Sequence, residues 1–170
     1  MIAELLLPIR LSGTDSIALR RAIPADLDDL IALLADDPIS AGRGDIAAPG
    51  DHPAYEAALE AIRRDAANEL ITAVDGSGRI VGTLQLTRIP GMARRGSTRL
   101  LVEAVRVASS ARSGGIGTAL MRWVLREAAP SVGADLVQLT SDAQRVDAHR
   151  FYERLGFVGS HIGFKYSVRD

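Results

Sequence analysis

The stretch "ARSGGIGTALMRW", residues 111–123, places three glycines directly before an apolar helical pattern. Glycine weakens a helix interior but frees the backbone of a loop, so this clustering marks a loop that turns into a helix. The first N–H groups of a helix lack an acceptor within it, and the helix dipole adds partial positive charge there. Glycines let a bulky phosphate approach those groups. The stretch therefore predicts an anion site at the start of a helix, where Arg112 can add a charged contact.

The two common phosphate-binding patterns do not account for this glycine turn. A P-loop requires Lys and then Ser or Thr after its last glycine, whereas Thr118 and Ala119 follow Gly117. The dinucleotide pattern G-x-G-x-x-G requires a third glycine where Leu120 stands. A nucleotide-binding protein is therefore a weak interpretation, and on this stretch alone a glycine-rich loop without a ligand stays open as an alternative.

Hydrophobic periodicity along the chain predicts one α/β domain. Helices are predicted at 24–36 and 53–68, after the glycine turn, and around 148–155. Strands are predicted at 16–22, at 70–74 and 79–89 as a hairpin around "DGSG", at 98–108, at 135–140 and, as one or two short strands, in "GFVGSHIGFKYSV". Two loops, 37–51 and 90–97, separate these elements. No linker is long enough to divide the chain, so residues 1–170 are expected to form a single domain.

Composition limits the partners of this domain. The 170 residues are 47% hydrophobic and 24% charged, and the formal net charge is −1, so no basic excess points to nucleic acid. The absence of cysteine excludes disulfides, thiolate metal sites and a cysteine nucleophile, and it is compatible with a cytoplasmic location. The run "IAELLLPI" is too short and too interrupted for a membrane span. We therefore expect no membrane partner. The three histidines lack the spacing of metal ligands, so we also expect no bound metal.

Two motifs resemble those of the GNAT superfamily of acetyl-CoA-dependent N-acetyltransferases. In "VEAVRVASSARSGGIG" a strand ends at Val107, and residues 112–117 then fit Arg/Gln-x-x-Gly-x-Gly/Ala. About forty residues later, "AHRFYERLGF", residues 148–157, fits A-x-x-x-Y-x-x-x-G-F, with Tyr152 as its tyrosine. The two motifs stand in the family's order, and the resemblance extends over about residues 17–168.

The resemblance implies a fold and a coenzyme site. The fold is α/β, a single GNAT-like domain whose central sheet is mixed and mostly antiparallel, with helices on both faces. Two central strands are splayed apart to bind acetyl-CoA, so the pantetheine arm is expected to pair with the backbone of Val105 and Val107. The pyrophosphate is expected on the turn formed by Arg112, Ser113, Gly114, Gly115, Ile116, Gly117 and Thr118.

Two positions depart from the family pattern. Ser109 stands where the family often has proline, two residues after the strand valine. Arg145 stands where asparagine is frequent, seven residues before Tyr152. Neither position belongs to the pyrophosphate turn, but Arg145 alters a polar contact at the pantetheine or adenosine end.

Acyl transfer to an amine needs a base for the amine proton and a proton donor for the departing thiolate. By its match to the family's tyrosine, Tyr152 is the expected donor, and the alternative is that it is only a core aromatic. Glu103 is the expected base, because it lies in the apolar run "LLVEAV" and period-2 spacing predicts it on the same side as Val105 and Val107. A structural ion pair of Glu103 with a neighbouring arginine, His161 as base, and water as base all stay open.

The acceptor is expected between the loops 37–51 and 90–97, where Arg94 and Arg95 would favour an anionic amine. The sequence thus predicts a cytoplasmic N-acetyltransferase for a primary amine of a small molecule or peptide, and the resemblance favours a homodimer. The alternative function is a catalytically silent acyl-CoA-binding sensor or regulatory module.

Overall fold

The computed structural model describes residues 2–14 and 16–168, and Met1, Asp15, Arg169 and Asp170 lie outside the described residues. The strands form one six-stranded sheet in which each strand pairs with the next one in sequence. All neighbouring pairs are antiparallel except the last, which is parallel. The strands are β1 Ile9–Arg10, β2 Ala18–Arg21, β3 Asn68–Val74, β4 Ile80–Ile89, β5 Arg99–Val107 and β6 Leu136–Leu139. The predicted mixed, mostly antiparallel sheet is confirmed.

The helices connect these strands in the predicted order, and part of each predicted loop is helical or turn-like. The helices are α1 Leu27–Ala35, α2 Pro38–Ala41, α3 His52–Arg64, α4 Ala93–Gly96, α5 Ile116–Trp123, α6 Ala129–Ser131 and α7 Val146–Arg154. A π-helical segment, Val124–Ala128, joins α5 to α6. The short α2 lies in the predicted loop 37–51, and α4 is a turn in which Arg94 and Arg95 take positive φ angles.

Apolar clusters cover both faces of the sheet. On one face, Leu120 and Met121 of α5 pack with sheet residues such as Leu84, Leu100 and Val102, all 0–1% exposed. On the other face, Leu70 of β3 packs against a cluster formed by Ala22 after β2 and by residues of α1 and α3, which are Leu27, Leu30, Ile31 and Leu59. Burying apolar area on both faces stabilises the sheet between two helical layers. The prediction of helices on both faces is confirmed.

A β-bulge interrupts β5 at its centre. Arg106 pairs with Thr83, but Glu103 pairs with Gln85, so β5 contains one residue more than β4 between these positions. The extra residue is Ala104, whose φ is 49°. A bulge reverses the alternation of side chains that follow it. Opposite it, a Cβ on Gly82 would lie only 3.0 Å from the Arg106 carbonyl oxygen, so the close approach of the two strands favours glycine there.

The last two strands of the sheet, β5 and β6, are paired over only a short length. β5 pairs with β6 only from Arg99 to Val102, opposite Leu136 to Leu139. The edge of β5 from residue 103 to 107 that faces away from β4 therefore has no strand beside it among the described residues. This open edge starts where the bulge begins and ends at the glycine turn.

The C-terminal segment differs from its prediction. Residues 157–168 form no strand, although one or two short strands were expected from "GFVGSHIGFKYSV". Its large apolar residues are 82–93% exposed: Val158, Ile162, Phe164, Tyr166 and Val168. A strand needs a hydrogen-bonded neighbour, and among the described residues no strand of the sheet pairs with this segment.

Candidate functional site

The glycine turn presents a row of free backbone donors. Positive φ angles at Ser113, 67°, and Gly115, 77°, bend the chain into α5, and residues 112–115 are exposed. The N–H groups of residues 113–118 donate to no acceptor among the described residues. The N–H of Arg112 is already used, because it donates to the Ser109 carbonyl at 3.4 Å. The turn can therefore hold an anion by its backbone alone.

The Arg112 side chain is turned toward neighbouring structure. Its Nε donates to the Val107 carbonyl at 3.1 Å, and its Nη2 lies 3.5 Å from a carboxylate oxygen of Asp36. The same carboxylate accepts the Ser109 N–H at 2.6 Å. The end of α1 is thereby fastened to the entrance of the glycine turn.

Tyr152 lies on α7 with its ring in the apolar cluster and its hydroxyl free. The ring makes edge-to-face contacts with Phe151 and Phe157, with centroids 5.2 and 5.8 Å away. Burial raises the pKa of Tyr152, although the nearby positive charges of Arg106 and Arg145 oppose that shift. Among the described residues no group hydrogen-bonds to its hydroxyl. The side chain is therefore both a core aromatic and an unoccupied, protonated donor.

Glu103 is exposed and lies on the opposite face of β5 from the one expected. Its partner Gln85 and the partner of Val107, Gly82, are three residues apart on β4, so the two pairs face opposite sides. Val105 and Val107 pack against the core under α5. The prediction that Glu103 shares their side is wrong, because the bulge at Ala104 reverses the alternation. Glu103 forms no ion pair with any described residue, so the structural alternative, a pair with Arg99 or Arg106, is absent too.

Arg145 carries an interaction that the sequence did not reveal. Its two terminal nitrogens bind the two carboxylate oxygens of Asp37 at 2.6 and 2.5 Å, across 108 residues of sequence. Asp37 also caps α2, because it accepts the Ser40 N–H at 2.8 Å. Burial opposes ionisation of this carboxyl, but the Arg145 and Ser40 hydrogen bonds lower the pKa of Asp37 to about 2.

The dipeptide Asp37-Pro38 was a usable signal for this cap, since an acidic residue followed by proline is typical of a helix start. The partner of Asp37 could not be found from sequence spacing. Arg145 was noticeable only as a departure from the family pattern. A second ion pair, between Arg43 and Asp142, ties the same loop to the residues before α7.

Arg106 lies beside this ion pair on the same face of β5 as Glu103. Its Nη2 donates to the Ser40 hydroxyl at 2.6 Å, and its Nη1 donates to the Val105 carbonyl at 2.9 Å. Its Nε is buried and has no partner. The structure thus brings Tyr152, Arg145, Asp37 and Arg106 together beside the open edge of β5.

The other expected site residues lie apart from this group. Arg94 and Arg95 are exposed on α4 and make no ion pair with a described residue. His161 lies in the exposed C-terminal segment, where its Nδ1 is 2.7 Å from the Ser160 hydroxyl. Within the described part of the chain, no three His, Asp or Glu side chains are grouped closely enough to hold a metal ion.

Known proteins share the fold of this chain. Residues 28–157 match the acetyltransferase (GNAT) family. The chain belongs to that family. It is therefore an acyltransferase with a GNAT fold, and acetyl-CoA is the co-substrate of the family.

Solved structures of similar proteins cover most of the chain. One, described as a transcriptional regulator from Bacillus halodurans C-125, is 42% identical with a TM-score of 0.83, covering 89% of this chain and 99% of that one. An acetyltransferase from Trypanosoma brucei is 27% identical with a TM-score of 0.70, covering 89% and 99%. Both similarities extend far beyond the two motifs.

One curated relative is similar over a shorter stretch. An aminoalkylphosphonate N-acetyltransferase from Salmonella typhimurium is 45% identical over 49 residues, 29% of this chain. This chain matches only 31% of the length of that relative. Among the helices of residues 2–14 and 16–168, none has the length and apolar character needed to cross a membrane.

We predict that coenzyme affinity depends on the glycine turn. Gly115→Glu and Gly117→Glu should abolish binding of coenzyme A, because each puts bulk and negative charge where a phosphate is expected. Gly117→Ala is the matched control: its Cβ would make only ordinary 3.7 Å contacts with Phe151 and Val107, so affinity should be retained. Calorimetric titration measures all three. Wild-type affinity in both glutamate variants would show that the phosphates bind elsewhere.

We predict that the Asp37–Arg145 pair stabilises the fold at neutral pH. The pKa of Asp37, about 2 when folded, lies below its unfolded value, so the contribution is present above about pH 4 and lost as the pH falls toward 2. Asp37→Asn should lower the free energy of unfolding by about 2 kcal/mol at pH 7. Asp147→Asn is the control, because that carboxylate is fully exposed. Denaturant titrations at neutral and acidic pH measure the free energy of unfolding of the wild type and both variants. A loss of stability in Asp37→Asn that does not change with pH would contradict the prediction.

Proposed function

We propose that the protein transfers an acetyl group from acetyl-CoA to a primary amine of a small molecule or peptide. The observation that carries the proposal is the row of unpartnered N–H groups at residues 113–118, which lies next to the open edge of β5. The partial match to an N-acetyltransferase of aminoalkylphosphonates supports an amine as acceptor.

The residues at this edge fit the coenzyme. No described strand lies beside Val105 and Val107, but their carbonyl groups accept the Arg106 and Arg112 side chains, which would have to release them for an amide-containing arm to pair there. The N–H groups from Ser113 to Thr118 suit the two phosphates, and the Arg112 side chain would have to exchange Asp36 for a phosphate to assist them. Together they would position the thioester near Tyr152 and Arg106.

Acetyl-CoA supplies an activated acetyl group as a thioester. The amine nitrogen forms a bond to the carbonyl carbon, the carbon–sulfur bond breaks, and the electron pair leaves with sulfur. An alkylamine with a pKa of about 10.4 is mostly protonated at pH 7, which costs the nucleophile about 4.6 kcal/mol. One residue must therefore accept the amine proton, and another protonates the thiolate.

Tyr152 is suited to the second role. Its raised pKa keeps the phenol protonated, and its hydroxyl has no competing partner among the described residues. Glu103 is proposed for the first role, directly or through a water molecule. It is exposed, forms no ion pair with a described residue, and lies on the same face of β5 as Arg106.

A non-catalytic acyl-CoA-binding module is the second candidate. The 42% identical relative described as a transcriptional regulator favours it. The free hydroxyl of Tyr152 beside the open edge favours catalysis instead. Thiol release from acetyl-CoA, measured against amino acids, aminophosphonates, polyamines, aminoglycosides and peptides, separates the two. Coenzyme binding without turnover on any of these amines would favour the module.

We predict that the two proposed catalytic side chains affect turnover and leave binding unchanged. Tyr152→Phe should lower kcat by about ten- to a thousandfold, the usual contribution of one positioned proton donor, with little change in coenzyme affinity. Glu103→Gln should lower turnover mainly below the pKa of the amine, because above it the amine is already neutral. The control is Glu153→Gln, which removes an exposed carboxylate on α7. A change at Gln85 would not serve as a control, because Gln85 pairs with Glu103. Wild-type pH profiles in both variants would assign the proton transfers to other groups.

We also propose that the protein forms a homodimer through its C-terminal segment. Apolar residues alternate with polar ones from Ile162 to Val168, as in a half-buried strand, and they are exposed. Among the described residues no strand pairs with the outer edge of β6, so that edge can accept a further strand. A second copy supplies both the segment and the edge.

We predict that Ile162→Lys/Phe164→Lys converts the dimer to a monomer, because it places charge on the apolar side of the segment. The control, His161→Lys, changes the polar side of the segment and should leave the mass of the dimer in solution unchanged. Light scattering at several protein concentrations measures both. A wild-type protein that stays monomeric throughout would contradict the proposed dimer.

A further inference from the structure

The loop after α1 places the Asp37 carboxylate near two arginines, Arg145 and Arg106, but only Arg145 binds it. Arg145 engages both oxygens of Asp37, and the Ser40 N–H takes a further position on the same carboxylate. Arg106, which also reaches this loop, bonds only to the Ser40 hydroxyl and to the Val105 carbonyl. Asp37 is therefore committed to Arg145.

Arg106 keeps a positive charge that no carboxylate neutralises directly. Within the described ranges, no Asp or Glu oxygen lies within ion-pair distance of its guanidinium. Asp45, the other acidic group whose charge reaches it, accepts the Tyr55 hydroxyl at 2.8 Å. Burial lowers the pKa of Arg106, but a guanidinium stays charged at neutral pH. A half-buried charge without a counter-ion is costly, and its buried Nε is an unused donor.

The position of Arg106 connects this donor with the reaction. It projects from the same face of β5 as Glu103, the proposed base, and follows the bulge by two residues. Its charge also acts on Tyr152, where it opposes the larger rise in pKa that burial causes. Arg106 thus shares the face of Glu103, bonds to the loop 37–51 beside which the acceptor is expected, and lies close enough to Tyr152 for its charge to act there.

We infer that Arg106 determines acceptor specificity, by binding a carboxylate, phosphonate or phosphate group carried by the amine substrate. This inference rests on the proposed acetyl transfer and names its substrate class: small amines with an oxyanion. Because its Nε is buried and its Nη atoms bond to Val105 and Ser40, the guanidinium would exchange one of these bonds for a directed, charge-assisted bond to such a group. It replaces Arg94 and Arg95, which are exposed on α4, in the role that the sequence suggested for them.

The test compares one anionic acceptor with its neutral analogue, β-alanine with β-alaninamide, at equal concentrations of unprotonated amine. The quantity measured is the ratio of kcat/KM for the two, at low and high salt. We expect the wild type to prefer the anionic acceptor by about ten- to a hundredfold, the range for a hydrogen bond to a charged group. Because Arg106 is half-buried, high salt should reduce this preference only slightly.

Four variants separate specificity from structure. Arg106→Met should remove the preference and raise KM for the anionic acceptor, and Arg106→Lys should restore part of it. Ser40→Ala removes the bond that Arg106 makes to the loop and should keep the preference. Arg94→Ala/Arg95→Ala removes two exposed charges and should keep it as well. Coenzyme A affinity and unfolding free energy, measured for each variant, show whether Arg106→Met is folded.

The outcomes distinguish the inference from the proposed function. Equal ratios in wild type and Arg106→Met, or a preference lost in Arg94→Ala/Arg95→Ala and kept in Arg106→Met, overturn the role of Arg106 while leaving acetyl transfer intact. A preference lost in Ser40→Ala to the same extent as in Arg106→Met also overturns it, since the loop contact would then explain both. Coenzyme binding with no transfer to any amine overturns the proposed function, and the inference with it.

Discussion

The bulge at Ala104 is the constraint on which the site depends. One extra residue in β5 turns Val105 and Val107 toward the core under α5 and turns Arg106 toward the loop after α1. It also coincides with the end of the pairing between β5 and β6, so the strand edge beyond it is open. A regular strand would have placed these side chains on the opposite faces.

A second constraint joins the two ends of the site. The segment from Asp36 to Arg43 is fastened to the glycine turn through Ser109 and to the residues before α7 through Arg145 and Asp142. These contacts join residues far apart in sequence, so they order a surface loop that local interactions would leave mobile. The loop after α1, the approach to the glycine turn and the residues before α7 are consequently joined by one connected group of polar contacts.

Much of the fold follows from local patterns. The hairpin around "DGSG", the helix after the glycines and the amphipathic helix around Tyr152 were predicted because each depends on periodicity and turn residues within a few positions. The glycine turn and its unpartnered N–H groups were predictable for the same reason. The face of Glu103 was predicted wrongly, since strict alternation holds only for a strand without a bulge. The C-terminal strands were also predicted wrongly, because alternation indicates a strand but cannot supply its neighbour.

The order of residues thus determines the elements, the family and the free backbone donors of the glycine turn, all of which arise from interactions between residues close in sequence. Tertiary structure decides which charges meet. Asp37 and Arg145 are 108 residues apart, and their pairing leaves Arg106 without a counter-ion. That outcome depends on how the loop after α1 packs over the end of β5, and no local pattern encodes the geometry of such a contact.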